Sequence, residues 1–553
     1  MSRFLFLGLI AVCLLAGWTM YRRGEAVRAD EGGVDPNAAC AACHDEIYER
    51  YRKTPMANAS GPAVDGVMAA DFRHAASGIH YEVREQAGRL WMSYDRDEAA
   101  RPLHGRQELR YFIGSGKRGR TYLFEQDGYW FEAPINWYAK RQLWDMTPNH
   151  LEDREMPSTL PVDPGCLHCH ASGAVSSLMD ARNHYAATPF AHGGIDCAQC
   201  HGDGAAHVAS QGKVRLQDLD KLEPVRRDSV CLNCHLEGKV AVVREGRKVE
   251  DFAAGDDLFD YELFFVNKKE EGSGGRATSQ WEALLESECK RKSGDRLTCT
   301  TCHDPHGSPQ LEERVAFYRQ KCLNCHNQAG FAANHHPENE DCASCHMARA
   351  GASDIAHEQV TDHFIRKRLP PPRTGSKATG ELVAVGGVAA SDRDFGLAYA
   401  QMAARGEKEA AGRALELLRH AEQESKGAGG DAELHAQLGF LEQISGHGNE
   451  AAAEYRRALA ADGFNSLAAG NLALMEAQQH HEGEAVQMWS KVFEHDPVQL
   501  GAGLNLAVVA CETGNRSAAL SALERLLAFA PDNEKARILR TEIRTGKRAC
   551  GAR

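Results

Sequence analysis

Between Ile79 and Tyr138 apolar and polar positions alternate, with Ile79/Tyr81/Val83, Leu90/Met92/Tyr94, Tyr111/Ile113, Tyr122/Phe124 and Tyr129/Phe131 each spaced by two. Successive side chains of a strand point to opposite faces, so this period predicts short antiparallel strands broken at the intervening Gly and Asp residues. The stretch GSGKRGRT within it lacks the GxxxxGK[ST] frame of a phosphate loop and is predicted to be a hairpin turn. The aromatic cluster Trp130, Phe131, Trp137, Tyr138 and Trp144 offers either a small core or a cover for a bound group, and composition favours the core.

Past a Pro/Gly-rich stretch, LPPPRTGSKATGELVAVGGV, the pattern turns alanine-rich and helical. A 34-residue period runs through Ala432–Asn465, Ser466–Gln499 and Leu500–Asn533. Its seventh position is Leu438, Leu472 and Leu506, its eighth Gly439, Ala473 and Ala507, its twentieth Ala451, Ala485 and Ala519. Position 24 is Tyr455, Trp489 and Leu523, and position 32 is Gly463, Pro497 and Pro531. Small residues where two helices cross, with a breaker after the second, are the pattern of tetratricopeptide repeats. A weaker copy spans about Ser391 to Ser425. Four helix pairs make a stable solenoid whose concave face is expected to dock proteins, as against a module that merely caps its neighbour.

Neither period governs the middle of the chain, where one pattern occurs seven times instead: Cys40–His44, Cys166–His170, Cys197–His201, Cys231–His235, Cys299–His303, Cys322–His326 and Cys342–His346, each CxxCH. Chance would supply on the order of 0.03 such patterns at this composition. Two thiols at that spacing reach the two vinyl groups on one edge of a porphyrin, and the following His turns its imidazole under the iron. A zinc ribbon needs no His after the second Cys, and a redox dithiol would not recur seven times. The attachment cysteines are thus Cys40, Cys43, Cys166, Cys169, Cys197, Cys200, Cys231, Cys234, Cys299, Cys302, Cys322, Cys325, Cys342 and Cys345. The proximal ligands are His44, His170, His201, His235, His303, His326 and His346, holding seven covalently bound haem c groups. From Cys166 to His346 there are roughly 30 residues per haem, too few for a polypeptide core around each, so the haems are expected to be the core.

Thirteen non-motif histidines lie between His74 and His363, more than seven irons can use. As sixth ligands His74, His192, His207, His306, His335, His357 and His363 rank above His80, His104, His150, His168, His184 and His336. Gly202 and Gly204 let the chain turn after His201, so His207 is expected to serve a haem other than its own, and His306 likewise. Met56 is a candidate sixth ligand at the first site, or else packs on the porphyrin face. Cys289 is read as a buried thiol, with iron ligation the rarer alternative.

The N-terminus carries Arg3, an apolar run from Phe4 to about Met20, then Arg22 and Arg23, followed by a small-residue cleavage pattern at Val27–Ala29. It is a secretory signal or an uncleaved anchor. The arginines after the run would favour a cytoplasmic side, yet haem is attached outside the cytoplasmic membrane, and that argument prevails. The expected location is periplasmic or extracytoplasmic, with anchoring to the cytoplasmic membrane open. A net charge of −13 over 553 residues argues against nucleic acid binding. Only Cys13, Cys289, Cys511 and Cys550 fall outside the motifs, so no disulfide framework is expected.

The segments CHGDGAAHV, CHDPHG, TDHFIRKR and YFIGSGKRGRTYLF resemble the multihaem c-type cytochromes of the cytochrome c-554 and paired-CxxCH class, in particular a bacterial group joined to C-terminal tetratricopeptide repeats. The resemblance spans Cys40 to Asn533 and implies that His207 and His306 are distal ligands to neighbouring haems. Asp203 stands where that class usually has proline, and TPMANAS after the first motif contains no His. Ammonia-forming nitrite reductases often carry the catalytic haem on CxxCK, which does not occur here.

The expected architecture is multidomain: a signal or anchor at 1–29, and a mainly α and irregular heptahaem domain at 30–368 with an antiparallel β insert at about 79–138. A linker at 369–390, an α-α solenoid at 391–540 and a tail at 541–553 complete it. The expected role is electron transfer between redox partner proteins, with docking through the repeats. The alternatives are an oxidoreductase of a small nitrogen or sulfur species at a five-coordinate haem, and a scaffold subunit of a redox complex. Site 1, isolated ahead of the β segment and without an assured His, is the expected port or place of chemistry.

Overall fold

The structure is a computed structural model that describes residues 35–551 apart from 99–100, 149, 158–159, 269–278, 348, 350–360, 368–379 and 425–429. The N-terminal signal or anchor and His357 lie outside the described residues. Among the described residues no helix is long and apolar enough to cross a membrane.

The alternating segment folds as expected but extends further in both directions. Strands β1 (Ser60–Pro62), β6 (Tyr111–Ile113), β7 (Gly119–Gln126), β8 (Tyr129–Tyr138) and β9 (Leu143–Met146) form one sheet in the order β1-β6-β7-β8-β9. Strands β2 (Ala70–Arg73), β3 (His80–Gln86), β4 (Arg89–Arg96) and β5 (Leu103–Leu109) form a second. Alternate residues of both, among them Tyr81, Val83, Leu90, Met92, Phe112, Tyr122 and Ile135, fill one core. GSGKRGRT is the hairpin between β6 and β7, with Gly114 and Gly116 at positive φ (96° and 78°). Trp130 is 1 % exposed and packs with Leu167, inside the second CxxCH motif, so the aromatic cluster is a core that also seats a haem-attachment helix.

A third sheet, β12 (Val240–Val243), β13 (Glu262–Asn267) and β14 (Leu382–Ala384), corrects the linker. β14 pairs antiparallel with β13, from Phe265↔Ala384 to Asn267↔Leu382, so the described end of the 369–390 stretch is built into the motif-bearing region. The core of this sheet continues into the first helix pair of the solenoid. Arg244 donates to Asp394 (2.8 Å), Gln401 to the Ala241 carbonyl (2.8 Å) and Arg405 to the Lys239 carbonyl (2.8 Å).

The 34-residue period is a stack of helix pairs: Asp392–Ala404 with Lys408–Glu424, Ala432–Ile444 with Gly448–Ala461, Ser466–Gln478 with Glu482–His495, and Leu500–Glu512 with Arg516–Phe529, closed by Glu534–Thr545. The small positions are where they cross. Ala451, Ala473, Ala485, Ala507 and Ala519 are all fully buried, and a Cβ on Gly439 would stand 2.5 Å from Tyr455. Cys511 and Cys550 form a disulfide, Cα–Cα 4.5 Å, that ties the tail to the fourth pair, a single bridge where no disulfide framework was expected.

The far end of the solenoid returns to the β sheets. Phe529 packs edge-on to Tyr129 at 5.7 Å, and the Tyr129 hydroxyl donates to the His495 carbonyl (2.6 Å). Arg96, at the end of β4, forms a bidentate ion pair with Asp532, their side chains 2 % and 1 % exposed, and Asp532 also accepts the Met156 N–H (3.0 Å). The repeats are therefore held to the rest of the chain at both ends.

Candidate functional site

Each CxxCH motif forms a single helical turn. The motif His N–H donates to the carbonyl of the first Cys in Cys40–His44 (2.9 Å), Cys197–His201 (3.0 Å), Cys299–His303 (3.0 Å) and Cys322–His326 (2.9 Å). That i→i+4 bond puts the two thiols on one face and the imidazole beyond the turn. Local capping sets several of them. Asp163 accepts the Cys166 N–H, Thr298 and Thr301 form a capping box at Cys299, and Asp341 accepts the Ser344 N–H.

The motifs lie against one another out of chain order. Thiol contacts join Cys40 to Cys197, Cys169 to Cys234, Cys231 to Cys299 and Cys322 to Cys342. Cys200 lies near Cys234, and Cys302 near Cys325 and Cys289, so the motifs form one connected set. Motifs 1 and 3 are further fixed by Asn37 accepting the Cys197 N–H (2.8 Å). Burial pushes the Cys166 thiol up to about 12. Among the described residues, the groups whose ligand atoms converge as on a metal ion include the motif histidine His346, with His335 and His336, and no motif cysteine.

Opposed imidazoles test the fit to haem. Two imidazoles bound to one iron at about 2 Å on opposite sides stand with ring centres about 6 Å apart. His44 and His207 have ring centres 6.3 Å apart and planes at 15°, His201 and His306 5.9 Å and 5°, His303 and His363 6.3 Å and 32°, and His346 and His335 5.9 Å and 22°. In every pair one member is a motif histidine and the other comes from elsewhere in the chain. Burial first, then the neighbouring imidazoles His306 and His44, lowers the pKa of His201. Burial also lowers His235, His303 and His363, which favours the neutral, ligating form.

The ring nitrogens that would face away from iron are oriented by acceptors. His207 Nδ1 lies 2.8 Å from the Val214 carbonyl, His346 Nδ1 2.7 Å from that of Arg366, and His363 Nδ1 2.8 Å from that of Thr361. Such contacts hold the Nδ1–H tautomer and leave Nε2 to the metal. Site 3 is braced by Tyr51, which stands edge-on to His306 at 6.4 Å and donates to the Ile195 carbonyl (2.6 Å).

Other expected ligands fall elsewhere. Both nitrogens of His74 are engaged inside the β region, Nδ1 with Ser77 Oγ and Nε2 with the Leu151 carbonyl, each at 2.9 Å, so neither is left for iron and that expectation is corrected. Met56 is partly buried beside motif 3, where its carbonyl accepts the Ile195 N–H (3.0 Å). It is His207 that faces His44, so site 1 is not the histidine-poor site the chain order implied. His192 sits in β11 (His192–Gly193) across from Ser172, close to motif 2. His326 is flanked by Phe331 at 5.2 Å and 23°. Tyr51, Asn37 and Tyr318 are supporting residues whose roles sequence reading missed; Tyr51, at helical spacing after motif 1, and Tyr318, one turn before Cys322, carried a positional signal.

The family profile for cytochrome c554 and c-prime matches residues 137–202, which contain motifs 2 and 3, and that for the doubled CXXCH motif matches 291–331, which contain motifs 5 and 6. This chain is a multihaem c-type cytochrome. Covalently bound haem c, with its iron, is accordingly the cofactor of the cytochrome. No curated protein matches its sequence. Solved structures similar to the cytochrome's repeat domain include MamA AMB-1, at 23 % identity over 28 % of this chain and 80 % of that one (TM-score 0.25). PilF of Pseudomonas aeruginosa shares 23 % identity over 28 % and 71 % (TM-score 0.24). A tetratricopeptide repeat protein from Parabacteroides merdae shares 16 % over 28 % and 61 % (TM-score 0.25).

Proposed function

We propose that this cytochrome is an exported electron carrier in which seven covalently held haems form one conducting set between redox partner proteins. The observation that carries the reading is the four opposed imidazole pairs, which would make sites 1, 3, 5 and 7 six-coordinate, with His207, His306, His363 and His335 as the distal ligands. Bis-histidine ligation leaves no position for substrate and suits haem to reversible one-electron transfer. The thiol contacts support an order in which 1 adjoins 3, 2 adjoins 4, and 4, 5, 6 and 7 follow in sequence. His192 and His357 are proposed for two of the three remaining irons, those of sites 2 and 4. Export is supported by the Cys511–Cys550 disulfide together with the haem attachment itself. The repeats serve as a brace fixed at both ends and as the docking surface for a partner.

Pyridine haemochrome analysis with intact mass tests the foundation, with seven haems expected. Electron paramagnetic resonance of the oxidised protein should then be dominated by low-spin haem. A second reading, reduction or oxidation of a small nitrogen or sulfur species, is favoured at site 6, where Phe331 instead of an imidazole stacks beside His326. Carbon monoxide binding to one reduced haem, lost when that haem is left out by C322A/C325A, would select it; no carbon monoxide adduct at any haem would exclude it.

A further inference from the structure

We propose that Tyr318 is a positioning residue for haem site 5, setting the hydrogen bond of His303 and, through it, the reduction potential of that site. The proposal rests on the bis-histidine reading of His303 and His363 given above. His207, His346 and His363 each direct Nδ1 to a backbone carbonyl at 2.7 to 2.8 Å. His303 differs. Its Nδ1 lies 3.4 Å from the Tyr318 hydroxyl oxygen, with the two rings edge-on at 5.8 Å and 69°.

With Nε2 on iron, Nδ1 carries the ring proton and donates it to Tyr318 Oη. A backbone carbonyl is a strong acceptor fixed in its peptide; a phenol is weaker and free to rotate. The acceptor on Nδ1 governs how electron-rich the imidazole is, and so how strongly it stabilises ferric iron. The two ligands of site 5 are therefore unequal, His363 held by a carbonyl and His303 by the phenol.

The placement gives the contact a consequence for the neighbouring site. Tyr318 lies on the helix Arg314–Leu323, one turn before Cys322, the first attachment cysteine of site 6. The same short helix thus anchors one haem and holds an axial ligand of the one before it. Site 5 stands mid-way along the proposed order, between the Cys231–Cys299 contact and Cys325, so its potential sets the step at the centre of the set.

The test is spectroelectrochemistry of the holoprotein with haem content checked by haemochrome. Y318F removes the acceptor and should move one haem component to more positive potential while the others stay put. Y318Q supplies an amide carbonyl and should move the same component the other way. Unchanged potentials in Y318F, or a uniform drift of all components, overturns the proposal; should Y318F load fewer haems, the absence of a negative shift in Y318Q does so instead. H363A separates the parent reading: a new high-spin signal from one haem upholds the His303–His363 site whatever Tyr318 does, and no such signal removes it.

Discussion

The solenoid and the motif-bearing middle of this cytochrome are both made of helices, yet they are stabilised in different ways. Helix Ala432–Ile444 buries seven residues and Leu500–Glu512 seven, each against another helix. By contrast Ala198–His201, Ala205–Ala209, Cys299–Cys302, Arg314–Leu323, Phe331–Asn334 and Cys342–His346 bury none. Five of these have four or five residues and Arg314–Leu323 has ten, all below the length at which propensity alone sustains a helix. Five of them carry motif residues or a histidine that faces a motif histidine, and Phe331–Asn334 runs directly into His335; on the proposed reading covalent haem supplies the apolar contacts that these helices lack. A repeat domain makes its own interior from small and large residues in register, whereas of the motif helices in this region only Pro164–His170 and Pro224–His235 bury residues of their own.

The largest expected effect breaks that contrast outright. Protein produced without haem attachment should lose hydrogen-exchange protection across 197–346 while helices from 432 to 545 stay protected; equal protection in both would refute the division. Next comes the seam between the solenoid and the β sheets. D532A leaves Arg96 buried without its partner and should cost about 3–5 kcal/mol, read as a lowered unfolding midpoint and new protease sensitivity between the two regions. Reducing Cys511–Cys550, or C550S, should lower the stability of the solenoid by about 2–4 kcal/mol without altering the haem spectra. G439V drives a branched side chain into Tyr455 and should cost about 1–3 kcal/mol, again with the haems unaffected.

The smallest effect is a pH dependence confined to the repeats. His481 and Glu476 stand 2.8 Å apart, an arrangement that Glu442 and His447 repeat one period earlier at 2.7 Å. The carboxylate raises the His481 pKa, and the hydrogen bond from His481 lowers that of Glu476. A raised histidine contributes stability below its unfolded pKa and loses it as pH rises through the folded value; a lowered carboxylate contributes above its unfolded pKa and loses it as pH falls. The contact should therefore be strongest in mildly acidic solution and fade on either side. Thermal unfolding of H481Q against pH should show a flatter profile than the parent, and an unchanged profile would remove the contact from the account.

Much of this was legible along the chain. The alternation of Tyr81, Val83, Leu90 and Met92 marks strands because a half-buried sheet needs period two. Leu438, Gly439 and Ala451 mark crossing helices because the same geometry recurs every 34 residues. His207 and His306 stood out through the turns that precede them. His74 misled because a histidine satisfied inside a β core has no local signature that separates it from a ligand. Met56 misled because proximity in sequence was taken for proximity in space, when the facing imidazole comes from beyond motif 3. The strand Leu382–Ala384 was hidden among Pro and Gly, since three residues are too short to show a period.

The sequence by itself determined what is covalent or periodic: seven CxxCH sites, whose chemistry needs only residues three and four apart, the strands, and the repeats. Tertiary structure decided what depends on distant residues meeting. It set which histidine opposes which motif, the order in which the motifs touch, the Cys511–Cys550 bridge, the Arg96–Asp532 seam and the phenol beside His303. An iron accepts any imidazole brought to it at the right distance, and that distance is a property of the packed chain, not of spacing along it.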